Sequence, residues 1–444
     1  MRRSSDNARY RLLRWRQSGN LQHQFAAVFD GPVIELPGGP LRAAIGADKV
    51  TNHYKFVDTN AINSTSTALA TTTPSIGGRN VWAIYGEINT PIVGEANRLP
   101  FVYSLDIQAS VRHDHYNDFG GTTNPRVAVD FTPVESFTLR GSWGTSFRAP
   151  AFAETSAVAG RLIMPQNQPA GAANNNIRLC PVGATAPVAG SAGAALINGG
   201  FGLNCNSFVG GVSVGGGSDG LQGVTRPSDY ALGPEEAESY SYGFQFLPTF
   251  LPGLDIHGTY FRTEVTNTIQ GGGTDLLNPF DRPNIFVRGD AGFDAVVSAV
   301  LANPLSTVSP NLASVIQFVT DGAARNIGSL KLDGVDFHAG YDWDMDDWGS
   351  FGASITGVYY LNRETVGGPG QPAEDAYSSG DALPGETRDP RFRYRTRLNW
   401  DNGDGLNMTA TMNYRSHYFH NQAYPAACFI SGPVCYPGAQ QFPD

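Results

Sequence analysis

Apolar and polar residues alternate with period two over long stretches of this chain, the mark of β-strands with two chemically different faces. In FVYSLDIQASVRHD, Phe101, Tyr103, Leu105, Ile107, Ala109 and Val111 alternate with Ser104, Asp106, Gln108, Ser110 and Arg112. In SFTLRGSWGTSFR, Phe137, Leu139, Trp143 and Phe147 share one side; Thr138, Arg140, Ser142, Ser146 and Arg148 share the other. The rhythm returns in Val335, Phe337, Ala339, Tyr341 and Trp343, and again from Phe351 to Leu361. It continues in Phe392, Tyr394, Leu398 and Trp400, and from Leu406 to Tyr414. Many of the predicted strands run for about 10–14 residues, against ~5–6 in a soluble sheet and ~9–11 for a tilted membrane strand.

The predicted connections differ in length. Short turns fall at 31–39, 132–135, 248–253, 345–350 and 401–405, and long polar connections at 52–78, 148–235, 267–326, 364–388 and from 419 onward. Short turns on one side and long loops on the other is the pattern of an outer-membrane barrel. Segment 157–228, rich in Gly, Ala and Asn, is expected to be a mobile surface loop that buries little apolar surface. Segment 292–319 is expected to hold short helices packed on a loop.

Composition narrows the class. Charged residues make up 16% and aromatics 11% of the 444 residues, and mean hydropathy is −0.23. Low charge without overall greasiness suits strands with one lipid face and one wet face. No apolar run approaches the ~18 residues of a membrane helix. A net charge of −10 argues against a nucleic-acid partner. The basic N-terminus has no apolar h-region, so no signal peptide is legible. Cys180 and Cys205, and Cys428 and Cys435, lie in loop-like stretches without zinc-site spacing, and are expected to form local loop disulfides.

The stretch TTNPRVAVDFTPVESFTLRGSWGTSFRAPAFAETS, with Ser146, Phe147, Arg148, Ala149 and Pro150 at a strand end, resembles the barrel of TonB-dependent receptors. Pro234 and Glu235, which open the next strand, the strand GLDIHGTYFRTEVTNTIQ, and the upstream stretches 29–49 and 79–92 are similar to that family too. The resemblance covers about residues 20 to 420. It implies an all-β fold: a transmembrane antiparallel β-barrel fragment of about 12–13 strands, against ~22 in a plugged transporter barrel. It places 148–235 and 267–326 as long extracellular loops and the short turns in the periplasm. It also implies a location in the outer membrane of a Gram-negative bacterium, contact with its lipid, and a nutrient ligand: siderophore, cobalamin, oligosaccharide or peptide. Energy would come from the TonB complex through a plug domain. No plug, TonB-contacting segment or aromatic last strand is legible in the sequence, and the expectation is a barrel truncated at both ends.

Candidate chemistry is sparse. Arg391, Arg393, Arg395 and Arg397 would share one strand face, opposite Phe392, Tyr394 and Trp400. With the aromatics toward lipid they, and Arg140, would face the lumen and meet an anionic ligand or the plug. The alternative is pairing with carboxylates such as Asp336 and Asp342. His113 and His115 share a strand face and flank Asp114, but no third metal ligand can be assigned; His417 and His420 are isolated. Asp342, Asp344, Asp346 and Asp347 lack the final Glu of a calcium loop. The glycines of 210–220 do not lie between a strand and a helix, as a phosphate loop would. No catalytic motif, metal site or cofactor is expected, and the chain reads as a receptor, not an enzyme. The other function classes open to this sequence are a plugless porin-like channel and a secreted soluble β-protein.

Overall fold

The computed structural model describes residues 15–60, 71–155, 164–165, 176–181, 184–200, 202–205, 208–210, 222–226, 231–271, 276–302, 316–321, 324–377, 390–417, 419–420 and 440–441. Twelve long strands follow one another as antiparallel neighbours. They are β1 (Trp15–Leu36), β2 (Gly39–Asn60), β3 (Thr71–Val93), β4 (Ser104–Tyr116), β5 (Gly120–Val134) and β6 (Phe137–Arg148). The second half continues with β7 (Glu235–Phe246), β8 (Leu254–Gln270), β9 (Arg325–Asp344), β10 (Ser350–Val366), β11 (Phe392–Asp401) and β12 (Asn407–Arg415). A short strand, Glu374–Asp375, pairs with the end of β10 and makes the sheet thirteen-stranded. This is the predicted barrel wall; within the described residues β1 and β12 are its borders, and the barrel is not closed.

Alternation decides what each face carries. Directly opposite residues share a face, so Phe29 and Ile45, Ile84 and His113, Val127 and Trp143, Leu139 and Phe244, and Leu398 and Ala410 belong to one apolar face. Its large side chains are uncovered: Phe25 and Phe29 are each 74% exposed and Ile45 67%. So broad an apolar surface, left open, has the character of the outer face of a transmembrane β-barrel. Aromatics border it at both heights. Tyr341, Trp343, Phe351 and Trp400 stack in series near the short turns, and Tyr359, Phe392, Tyr394 and Tyr414 gather towards the other end. From Phe392 to Trp400 is ~26 Å of strand at ~3.3 Å per residue, or roughly 20 Å across a bilayer at ~40° tilt, near the ~25 Å band of such barrels.

Several predicted boundaries move. Residues 31–39 are not a turn: the ladder runs to Leu36, and only Pro37 and Gly38 lie between β1 and β2. Pro32 is accommodated because the register shifts between Pro32 and Ile34, where a missing N–H costs no ladder bond. Much of 52–78 extends β2 and β3 as a paired ribbon instead of a loop. Phe101 lies outside β4, in a turn with φ 64°. Residues 117–119 form a short link at the end that otherwise carries the long connections.

The long connections contain a core of their own, which overturns the expectation that 157–228 buries little. Ile285–Val287, Ile316–Asp321, Gln222–Arg226 and Met164–Pro165 form a separate four-stranded sheet. Helix α1 (Ala192–Asn198), capped by the Ser191 hydroxyl, places Leu196 against Leu179, Leu276, Ile285, Val287 and Phe318. Helix α2 (Phe293–Ala302), in the stretch predicted helical, packs Phe293 and Val297 on Ile316 and Val319. A disulfide joins Cys180 to Cys205 with the Cα atoms 5.2 Å apart. Cys428 and Cys435 lie outside the described residues.

The face assignment has a direct test. Ile355 lies midway along the apolar face of β10, and Gln108 is exposed on the polar face of β4. Ile355→Arg is expected to destabilise the chain in lipid vesicles by ~2–4 kcal/mol. Gln108→Lys is expected to stay within about 0.5 kcal/mol of the parent. Urea titration followed by tryptophan fluorescence measures both; equal losses would refute the assignment.

Candidate functional site

The polar face carries the chemistry. On β11, Arg393, Arg395 and Arg397 project to it, opposite Val358, Thr356 and Ser354 of β10 and Arg415, Asn413 and Thr411 of β12. All of these except Thr411 line a concavity of about 590 Å³. Arg393 donates to the Tyr360 hydroxyl at 2.6 Å, and Arg395 to the Asn413 side-chain carbonyl at 2.9 Å. Four guanidinium groups, counting Arg415, share this lining with the single carboxylate of Asp336. Among the described residues neither Asp336 nor Asp342 forms an ion pair with them.

Arg391 departs from the expected row. It precedes β11, donates to the carbonyls of Tyr360 and Leu361, and lies over the Tyr359 and Tyr377 rings. Arg415, visible in the sequence only as one polar residue of an alternating run, completes the group instead. Arg140 shares the polar face but lies far along the sheet, beside Asp130 at 3.4 Å and donating to Gln245 at 2.7 Å.

At the long-connection end the Ser146–Pro150 stretch forms a latch. Ser146 precedes Arg148 in the polar row of β6, and Phe147 stands edge-on to Tyr116. Arg148 grips Glu235 with two bonds of 2.6 and 2.7 Å and Glu154 with two of 3.1 and 3.2 Å. Glu235, which follows Pro234 and opens β7, also accepts the Ile269 N–H at 2.7 Å. The opposite face has turned polar at this height, with Glu236 and Glu238, so the pair stands above the apolar band. Hydrogen bonds from Arg148, then from Ile269, hold the Glu235 carboxyl below its usual range against the opposing effect of burial. The Pro150 carbonyl accepts from Arg79 at 2.8 Å. Arg79 is only 7% exposed, pairs with Asp118 at 2.6 Å and lies over the Phe152 ring at 4.8 Å. Sequence reasoning missed Arg79 and Asp118, because Arg79 lies 39 positions from Asp118 and 71 from Pro150 and no local pattern links them.

The His113–Asp114–His115 stretch does not converge on one point. His113 and His115 lie on the apolar face against Trp82, whereas Asp114 is buried on the other face beside Arg112. The acidic run 342–347 ends β9 and enters the turn to β10, and Asp344 accepts from the Ser350 hydroxyl. His417 joins no metal-like cluster among the described residues; the His420 side chain lies outside them.

The latch generates two expectations. Arg148→Ala and Glu235→Gln are each expected to weaken the root of the 149–234 connection by about 1 kcal/mol, since the Arg148 end of the pair is half exposed. That is ~5-fold in the open population, read as faster limited proteolysis of that connection at neutral pH. Arg148→Lys is expected to fail as a substitute, because it loses the paired geometry. A carboxylate with a lowered folded pKa stabilises above its unfolded value, near ~4.3, and loses that contribution as the pH falls through the folded one. Acid is therefore expected to accelerate cleavage in the parent more than in Glu235→Gln.

Comparison with known proteins agrees with this architecture. The family model described as TonB dependent receptor-like, beta-barrel matches residues 2–427. The siderophore receptor PirA of Acinetobacter baumannii is similar in fold, with a TM-score of 0.52 and 13% identity, over 90% of this chain and 43% of that one. A ferric enterobactin receptor of Pseudomonas aeruginosa, solved in complex with enterobactin, gives a TM-score of 0.50 and 14% identity, over 90% of this chain and 42% of that one. The chain thus spans about two fifths of the length of these receptors. No curated protein shows a significant sequence match. At such identities the solved structures speak for the fold alone, while the family model spans nearly all of the sequence: the chain belongs to the TonB-dependent receptor β-barrel family.

Proposed function

We propose that this chain forms barrel wall of an outer-membrane uptake receptor, energised through TonB, whose ligand is an anionic nutrient complex of the ferric-siderophore class. The observation that carries the reading is the arginine group. Arg393 lies directly opposite Arg415 across β11 and β12, a like-charge pair that costs stability in a sheet. With one carboxylate among four guanidinium groups, the surface has an excess of positive charge in a chain whose net charge is −10. A ligand bearing carboxylate, catecholate or hydroxamate oxygens would satisfy these donors. The siderophore receptors of like fold support the same class. The long connections and their small core would meet the ligand from outside, and a plug would contact the arginines from within the lumen. No bond is broken in this activity; the chain binds and passes its cargo.

The test is binding of a ferric catecholate complex to the full chain in detergent micelles, read by quenching of tryptophan fluorescence. The triple variant Arg393→Gln, Arg395→Gln, Arg397→Gln is expected to bind at least ~10-fold more weakly, since one charge-assisted hydrogen bond is worth about 1.5–3 kcal/mol. Cells expressing the receptor are expected to lose iron uptake when TonB is deleted. Undiminished binding by the triple variant, or a preference for a neutral ligand, would overturn the reading.

A further inference from the structure

A second chemical group lies on the polar face, in register with Arg395 and two strands from it. The register sets Gln245, His257, His338, Thr356 and Arg395 side by side across five strands. The His257 and His338 rings stack with centroids 4.6 Å apart, 16° from parallel. Asp255 stands two residues from His257 on the same face, its Oδ1 3.3 Å from His257 Nδ1. One donor atom from each of the three residues lies within 4.8 Å of the others.

Two neighbours prepare His338 as a ligand. Its Nδ1 is hydrogen-bonded to the Thr356 hydroxyl at 2.7 Å. A partner on one ring nitrogen fixes the ring and leaves the other for a metal. That other nitrogen, Nε2, is flanked by Gly340, where an added Cβ would come within 2.9 Å. Glycine here keeps the approach to Nε2 open. Asp255 and His257 are partly exposed, their side chains 37% and 43% accessible, so an ion can reach them from the polar side.

We propose that Asp255, His257 and His338 bind a divalent transition metal of the zinc class. Two imidazoles and one carboxylate suit Zn²⁺, Ni²⁺ or Cu²⁺, whereas Ca²⁺ and Mg²⁺ ask for oxygen alone. Metal–nitrogen bonds of ~2.0–2.1 Å place tetrahedral donors about 3.3 Å apart. The three donor atoms, now within 4.8 Å of one another, would close to that spacing on binding. Three protein ligands leave a fourth position open on the polar side, as in a site that exchanges its ion or accepts an outside donor. The inference stands apart from the anionic-ligand reading, since none of its three residues belongs to the arginine group.

The experiment is titration of the full chain in detergent micelles with Zn²⁺ alone, by calorimetry, with Co²⁺ absorption as a report of imidazole ligation. One binding event is expected to weaken at least ~100-fold in His257→Ala and in His338→Gln, which keeps a polar side chain and tests ligation apart from folding. Thr356→Val is expected to weaken it ~10–100-fold through loss of the ring's orientation. The double variant His113→Ala, His115→Ala, on the apolar face, is expected to bind as the parent does. Heat-dependent gel mobility checks that each variant is folded. Parental Zn²⁺ affinity in folded His338→Gln, or loss of the event in the His113/His115 variant, would overturn the assignment.

Discussion

Hydrocarbon offers a backbone N–H or C=O no water to bond with, and each group left alone there costs several kcal/mol. The unbroken ladder from β1 to β12 answers that constraint, and the other features of the wall adapt to it. Pro32 and Pro91, which cannot donate, sit where the register shifts. At the short-turn end the hairpins crowd one another. Gly253 and Gly349 hold φ of 94° and 84° there, and a side chain at either would run into the carbonyl oxygen of Asp342 or Asp401 on the next strand.

Once the ladder is fixed, the side chains have no further choice of face, and the two faces answer to different solvents. The apolar face is nearly uniform, because lipid discriminates little among Phe, Ile, Leu and Met. The polar face is patchy: a serine pair at Ser142 and Ser241, a histidine stack at His257 and His338, an arginine group on β11 and β12. Fold stability does not ask for these patches. The opposed Arg393 and Arg415 work against it, a cost that the anionic ligand proposed above would relieve.

Alternation made β4, β6 and β9 to β12 legible in the sequence, and Arg393, Arg395 and Arg397 with them, while the family resemblance supplied other parts of the wall. What stayed hidden depended on separation along the chain. His257 and His338 lie eighty-one positions apart, and only the pairing of β8 with β9 makes them neighbours. His113 and His115, close in sequence, share the apolar face instead. The small core in the long connections escaped for a similar reason. Leu179 and Leu196 come from one connection, Leu276, Ile285, Val287 and Phe318 from another, and neither stretch alone shows enough apolar residues to predict a core. The ends of β2 and β3 were misread because Thr, Asn and Asp look like loop residues, although the β-branched Thr is also at home in a paired ribbon beyond the membrane.

That shared core ties the long connections to the wall. Asn326, at the start of β9, accepts the Gly233 N–H at 2.8 Å and donates to the carbonyls of Gly233 and Asn267, each at 2.9 Å. Asn267 has φ 56°, and the β8–β9 register shifts around it. One amide side chain therefore clamps the roots of both connections, while the Arg148–Glu235 pair fixes the other end of the first. Gln371, from the connection after β10, reaches Asp281 at 3.2 Å. Connections free at their roots could not keep a divided core together, because the entropy of two long loops would oppose it. Roots fastened to a rigid ladder lower that cost. The small core thus depends on the geometry of the wall, and a displacement of β7 or β9 would be transmitted to it directly.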